Sequence, residues 1–241
     1  MTTLTRKLTV EFIGTFFLMF TVGMAMATAP SLAPLAIGAI LMVMVFAGGH
    51  ISGAHYNPAV STAALVRGKL TAQEYLPYIA TQIVAAIIAG VLVRALDYAP
   101  ASTAAVAGTG KMLIVEFLFT FALAYVVLNA ATAKDTEGNS FFGLAIGFTL
   151  AAGAFAVGSV SGGAFNPAVA FGASVVGLFA WSNIWIYLLA QLAGGVAAAG
   201  AFLLIHPGEG AQTEASAARP GGQVDRGAGA VAPGDITPTT T

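Results

Sequence analysis

The sequence predicts an all-α membrane protein, with six transmembrane helices plus two re-entrant half-helices arranged as an inverted repeat. Three observations carry this. Of the 241 residues, 58% are hydrophobic and only 8% are charged, where a soluble domain carries about 25%. No Asp, Glu, Lys or Arg lies between Glu11 and Arg67, or between Glu137 and Glu209. A spanning helix needs about 20 apolar residues, so each interval holds more than one. Finally, Asn57-Pro58-Ala59 recurs as Asn166-Pro167-Ala168, an offset of 109 positions (166 − 57), inside those uncharged stretches.

Residues 8–28 form the first predicted span and carry Glu11. Arg6-Lys7 ahead of this run and Ala25-Met26-Ala27 within it mimic a signal peptide. The run is too long for one and its pattern recurs, so a retained span is the better reading. Ala29 to Pro34 is a linker with two prolines, and residues 35–50 form the second span. Gly48-Gly49-His50-Ile51-Ser52-Gly53 then breaks the helical pattern. Asn is a favoured N-cap, and proline fits the first helical position, where no N–H is needed. A helix from Asn57 to Arg67 is therefore expected. At ~15 Å it reaches half-way across a bilayer core. Arg67-Gly68-Lys69 ends it, with positive charge suited to a helix C-terminus.

Residues 75–96 form the third span, and Asp97 to Gly110 a small-residue loop. Residues 111–131, carrying Glu116, form the fourth, and Lys134 to Gly138 a charged turn. Residues 141–157 form the fifth, Gly158 to Phe165 is a glycine-rich break, and Asn166 opens the second half-helix. Residues 184–205 form the sixth span. From 207 to 241 the chain is rich in Gly, Ala, Pro and Thr and reads as a disordered tail. The folded domain is thus residues 1–206, with repeat halves of about 8–105 and 111–206.

The halves echo one another. Val10-Glu11-Phe12 matches Val115-Glu116-Phe117, Ser52-Gly53 matches Ser161-Gly162, and Tyr78 and Gln82 match Tyr187 and Gln191. Three spans per half invert the second copy relative to the first. The positive-inside rule tests this. With the N-terminus inside, Arg6, Lys7, Arg67, Lys69, Lys134, Arg219 and Arg226 fall inside, and only Arg94 and Lys111 fall outside. Both termini are expected to be cytoplasmic.

Composition also excludes functions. Cysteine is absent, which removes disulfides and thiol chemistry. The net charge of −1 leaves no basic footprint for nucleic acid. His50 and His55 stand without a clustered carboxylate or Cys, so no metal site is expected. They suit loop packing or pore-wall hydrogen bonding instead. Gly108-Thr109-Gly110-Lys111 is too short for a phosphate loop and lacks the following Ser or Thr. No cofactor motif and no catalytic constellation is visible, so the chain is not expected to be an enzyme.

Ser52-Gly53-Ala54-His55-Tyr56-Asn57-Pro58-Ala59-Val60 and Ser161-Gly162-Gly163-Ala164-Phe165-Asn166-Pro167-Ala168 resemble the paired signatures of the aquaporin, or major intrinsic protein, family. The resemblance covers about residues 8–205. It implies a right-handed six-helix bundle, a homotetramer in the lipid bilayer and one pore per subunit. It also implies that Glu11 and Glu116 bind backbone N–H groups of the broken loops, and His50 is grouped with them as a support. Counting from the asparagines as the family does, the pore constriction falls at Ile37, Ala154, Gly163 and Val169. The family commonly has Arg where this chain has Val169. The run Asn166 to Gly172, with Trp181, Asn183 and Trp185, is similar to the plant tonoplast intrinsic branch, which is associated with water, urea, ammonia and hydrogen peroxide.

The expected function is a passive channel for water and small neutral solutes (glycerol among them) that excludes protons and ions. Each asparagine side-chain oxygen caps its half-helix and its NH₂ is left to donate into the pore. Two positive helix ends, each roughly half a charge, repel cations. The alternative is a proton-coupled secondary transporter, since inverted repeats and broken helices also mark that class, with Glu11 and Glu116 as coupling groups. The expected location is the plasma (inner) membrane.

Overall fold

The computed structural model describes residues 2–98 and 107–210. The centre of the 97–110 loop and the tail from 211 onward lie outside them. Eight α-helices run through the described residues. They are α1 (Thr3–Thr28), α2 (Ala33–Ser52), α3 (Pro58–Arg67), α4 (Ala72–Ala95), α5 (Thr109–Thr132), α6 (Phe142–Ser161), α7 (Pro167–Val176) and α8 (Ile184–Ile205). Six are long and apolar enough to cross a membrane; the other two, α3 and α7, have ten residues each.

Local chemistry explains the ends. Thr2 caps α1 by accepting from Thr5 N at 3.2 Å, and Thr71 with Glu74 forms a reciprocal capping box on α4. Gly53 (φ 86°) and Gly162 (φ 92°) close α2 and α6 in the left-handed region, where glycine carries no Cβ penalty. Both spans therefore run further than expected. Gly48, Gly49 and His50 lie inside α2, and Gly158 lies inside α6.

The reason is packing. At Gly48 an added Cβ would collide with the Tyr56 hydroxyl and lie 2.5 Å from a Val10 methyl carbon. This glycine opens space for a loop tyrosine rather than breaking a helix. Gly48→Ala is expected to destabilise by about 1–3 kcal/mol through overpacking. The check is the melting temperature in detergent, with Gly200→Ala as the control. At Gly200 a Cβ meets nothing within 4 Å, so that variant melts no lower than the native chain.

The packing pattern is that of two interlocked copies. α1 lies on α4 as α5 lies on α8, α2 meets α6, and each ten-residue helix packs on the other copy's last span: α3 on α8 and α7 on α4. Gly38 and Gly147 face each other's carbonyl oxygens at the α2–α6 contact, 2.5 Å from where a Cβ would sit. Large apolar side chains such as Leu76, Ile114, Phe148, Leu189 and Leu204 are exposed around the outside, which suits a hydrocarbon solvent. Residues 207–210 are not the loose start of a tail. Glu209 is buried and held by Arg67, a long-range partner that composition does not register.

Candidate functional site

Two loops meet at the centre of the molecule. Each enters through residues held in the left-handed region, Ala54 (φ 50°) and Tyr56 (φ 49°) in the first and Gly163 (φ 65°) and Phe165 (φ 47°) in the second. A non-glycine residue so held costs of order 1–3 kcal/mol and persists only where its surroundings over-determine it. The determinant is a buried carboxylate under each loop.

Glu11 Oε1 accepts from Ser52 Oγ (2.7 Å) and His55 N (2.9 Å), and its Oε2 accepts from Tyr56 N (2.7 Å) and Gln82 Nε2 (2.8 Å). Glu116 repeats the set. Its Oε1 accepts from Ser161 Oγ (2.6 Å) and Ala164 N (3.1 Å), and its Oε2 from Phe165 N (2.9 Å) and Gln191 Nε2 (2.8 Å). Tyr78 and Tyr187 complete the frame by donating to the carbonyls of Ser52 and Ser161.

Above these frames stand the asparagines. Asn57 Oδ1 accepts from Ala59 N at 2.8 Å, and Asn166 Oδ1 from Ala168 N at 2.9 Å. Pro58 and Pro167 occupy the first helical positions, as expected. The amide nitrogens bond crosswise: Asn57 Nδ2 donates to Phe165 O (2.9 Å), and Asn166 Nδ2 to Tyr56 O (2.8 Å). The expectation of a wholly free NH₂ is thereby corrected. One N–H of each stitches the two half-helices together, and the other remains.

A cavity of about 310 Å³ runs past both asparagines. Ile37, Ala154, Gly163 and Val169 all border it. So do Leu41, Val60, Leu123 and Ile146, and among the described lining residues there is no Asp, Glu, Lys or Arg. Gly163 stands where the first half has Ala54, in the same left-handed region. Ala54 holds this conformation at that strain cost, which Gly163 avoids, and glycine leaves this part of the cavity wall without a side chain.

His50 is not a support. It lies on an exposed face of α2 and makes no hydrogen bond to either loop, because the helix carries it outward before the chain turns at Gly53. The histidine that matters is His55. It lines the cavity, its Nδ1 lies 3.1 Å from Ser61 Oγ, and its ring sits 5.4 Å from Tyr78. Its counterpart is Ala164, and there Phe179 supplies the missing ring, stacked on Tyr187 at 4.6 Å. Ser52, Ser161, Gln82 and Gln191 join the site as loop braces. Their shared offset of 109 (161 − 52; 191 − 82) is the sequence signal that finds them.

Among the described residues no group of His, Cys, Asp and Glu could hold a metal ion. The arrangement offers instead a cavity that the described residues line without Asp, Glu, Lys or Arg, with two fixed amide donors beside it. Two helix N-termini converge there, and their dipoles make it positive.

Comparison with known proteins places this geometry. A family model described as Major intrinsic protein matches residues 1–203. "Glycerol uptake facilitator protein-like 6" of Lactiplantibacillus plantarum is 37% identical over 206 residues, covering 80% of this chain and 95% of that protein. "Aquaporin NIP1-4" of Oryza sativa is 36% identical, covering 84% of this chain and 78% of its own length. The relatives named here are of glycerol-facilitator and NIP type rather than tonoplast type. The solved aquaglyceroporin of Plasmodium falciparum shares the fold, with a TM-score of 0.72 at 21% identity over 85% of this chain and 98% of that one. The family model spans most of the chain, and these relatives exceed 30% identity over their greater part. On that footing the chain belongs to the major intrinsic protein family, a family of membrane channels.

Proposed function

We propose that this multi-pass membrane protein is a passive, wide-filter channel for water and small neutral solutes such as glycerol, urea, ammonia and hydrogen peroxide. The observation that carries this is the cavity bordered by Ile37, Ala154, Gly163 and Val169, with no charged side chain among its described lining residues. None of these four narrows the passage with a guanidinium or a large ring. Loop carbonyls accept from the solute along one wall, and the remaining N–H groups of Asn57 and Asn166 donate to its oxygen at mid-membrane. The paired helix ends exclude cations and hydronium there. A similar relative is named for glycerol uptake, which agrees with a passage wider than water.

The carboxylates favour a channel over a proton-coupled transporter. Both oxygens of Glu11 and of Glu116 are taken by loop and glutamine donors, which leaves no acceptor site to carry a proton. In this reading the protein sits in the plasma (inner) membrane with both termini cytoplasmic, as a homotetramer with one pore per subunit.

Stopped-flow light scattering on proteoliposomes tests the reading. Water, glycerol and urea are expected to equilibrate without saturating and without a proton gradient. Flux that saturates or follows the gradient means a transporter. Flux of water alone removes the wide filter.

A further inference from the structure

Arg67 ends α3 and is fully buried. The second half has no equivalent, since position 176 (67 + 109) is valine. The Arg67 guanidinium ion-pairs with Glu209, Nη2 to Oε2 at 2.6 Å, and its Nη1 donates to the Glu209 carbonyl. It also donates to Thr132 O (3.2 Å) and Thr132 Oγ1 (3.3 Å), and lies 4.9 Å from the centroid of the Phe202 ring. The second Glu209 carboxylate oxygen accepts from Lys134 N at 3.0 Å. One ion pair therefore ties together the end of α3, the end of α5, α8 and the segment that follows α8. Glu209 lies beyond residue 203, where the family match stops. The end of α7 is held more lightly, by exposed Arg94 donating to Val175 O at 3.2 Å.

We propose that Arg67 and Glu209 are positioning residues for Asn57, a clamp that fixes the depth of the first half-helix. α3 has only ten residues and is anchored at both ends. At its N-terminal end Asn57 is bonded to Phe165 O, and at its C-terminal end Arg67 is bonded to Glu209. A buried guanidinium that loses its carboxylate is strongly disfavoured and turns toward water. Because Arg67 is the last residue of the helix, that movement draws the rod along its axis and pulls Asn57 off its cross-bond. The structural claim stands on the ion pair alone, whereas its effect on flux rests on the channel reading above.

The test is hydrogen exchange on the full-length chain in nanodiscs. Glu209→Gln is expected to raise amide exchange across residues 58–67 by about tenfold or more while residues 167–176 keep the native rate. Arg67→Met combined with Glu209→Leu is expected to return residues 58–67 toward native protection, because no uncompensated charge remains. Unchanged exchange in α3, or an equal rise in α7, overturns the clamp. In proteoliposomes Glu209→Gln is expected to change the glycerol-to-water permeability ratio by about threefold, since an off-register donor is felt by the transiting solute. A changed exchange rate with an unchanged ratio overturns positioning. If the native protein conducts nothing above empty liposomes, the channel reading fails, and the exchange result alone decides the clamp.

Discussion

Glu11→Ala is expected to yield no folded protein, and Glu11→Gln a folded but weakened one, with Glu116 behaving alike. Each carboxylate accepts four hydrogen bonds inside a fully buried site. Alanine orphans all four donors. Each orphan costs about 1–3 kcal/mol, so four approach the whole stability of a domain, about 5–15 kcal/mol. Glutamine is milder because the surroundings adapt in part. If its NH₂ replaces Oε1, the Ser52 hydroxyl rotates and accepts from it. If it replaces Oε2, Gln82 flips its amide and presents Oε1, which has no partner among the described residues.

A backbone donor has no such freedom. His55 N is orphaned in the first case and Tyr56 N in the second, at about 1–3 kcal/mol either way. Size-exclusion profiles and melting curves in detergent check the series. Native-like melting of Glu11→Ala would show that the loops are held by something else. A coupling carboxylate would behave differently: glutamine variants would melt normally and lose gradient-driven uptake.

Val169→Arg is expected to convert a wide filter into a water-selective one. Val169 is the third residue after Asn166, on the first turn of α7, and borders the cavity. Arginine there adds length, donors and a full charge to the cavity that Ala154 and Gly163 also border. A barrier raised by about 2 kcal/mol slows a solute roughly thirtyfold, at 1.4 kcal/mol per decade. Glycerol and urea permeability should fall by that order, while water falls far less because it fits beside the guanidinium. Stopped-flow rates for the three solutes decide it. Equal loss for all three would mean that the substitution blocks the pore. No loss would mean that Val169 does not set its width.

The class of fold, the six spans and the two short Asn-Pro helices were legible in the sequence because each rests on local chemistry. Uncharged runs of membrane length permit little else, and Asn-Pro starts a helix wherever it stands. The duplicated Asn57 and Asn166, the paired Glu11 and Glu116, and the 109-residue echo of Ser52, Tyr78 and Gln82 were all visible to a reader counting positions.

What tertiary structure alone decided was direction and partnership. In a span, lipid-facing and core-facing residues are equally apolar, so periodicity does not say which face meets the cavity. His50 and His55 look alike in sequence, yet one is carried outward by α2 and the other is turned inward by the loop. Gly48 reads as a helix breaker and proves to be room for Tyr56. The cross-bonds from Asn57 to Phe165 O and from Asn166 to Tyr56 O join residues more than 100 positions apart, and Arg67 reaches 142 positions to Glu209. Sequence fixes which groups need a partner when water is excluded; only the packed chain determines which group supplies it.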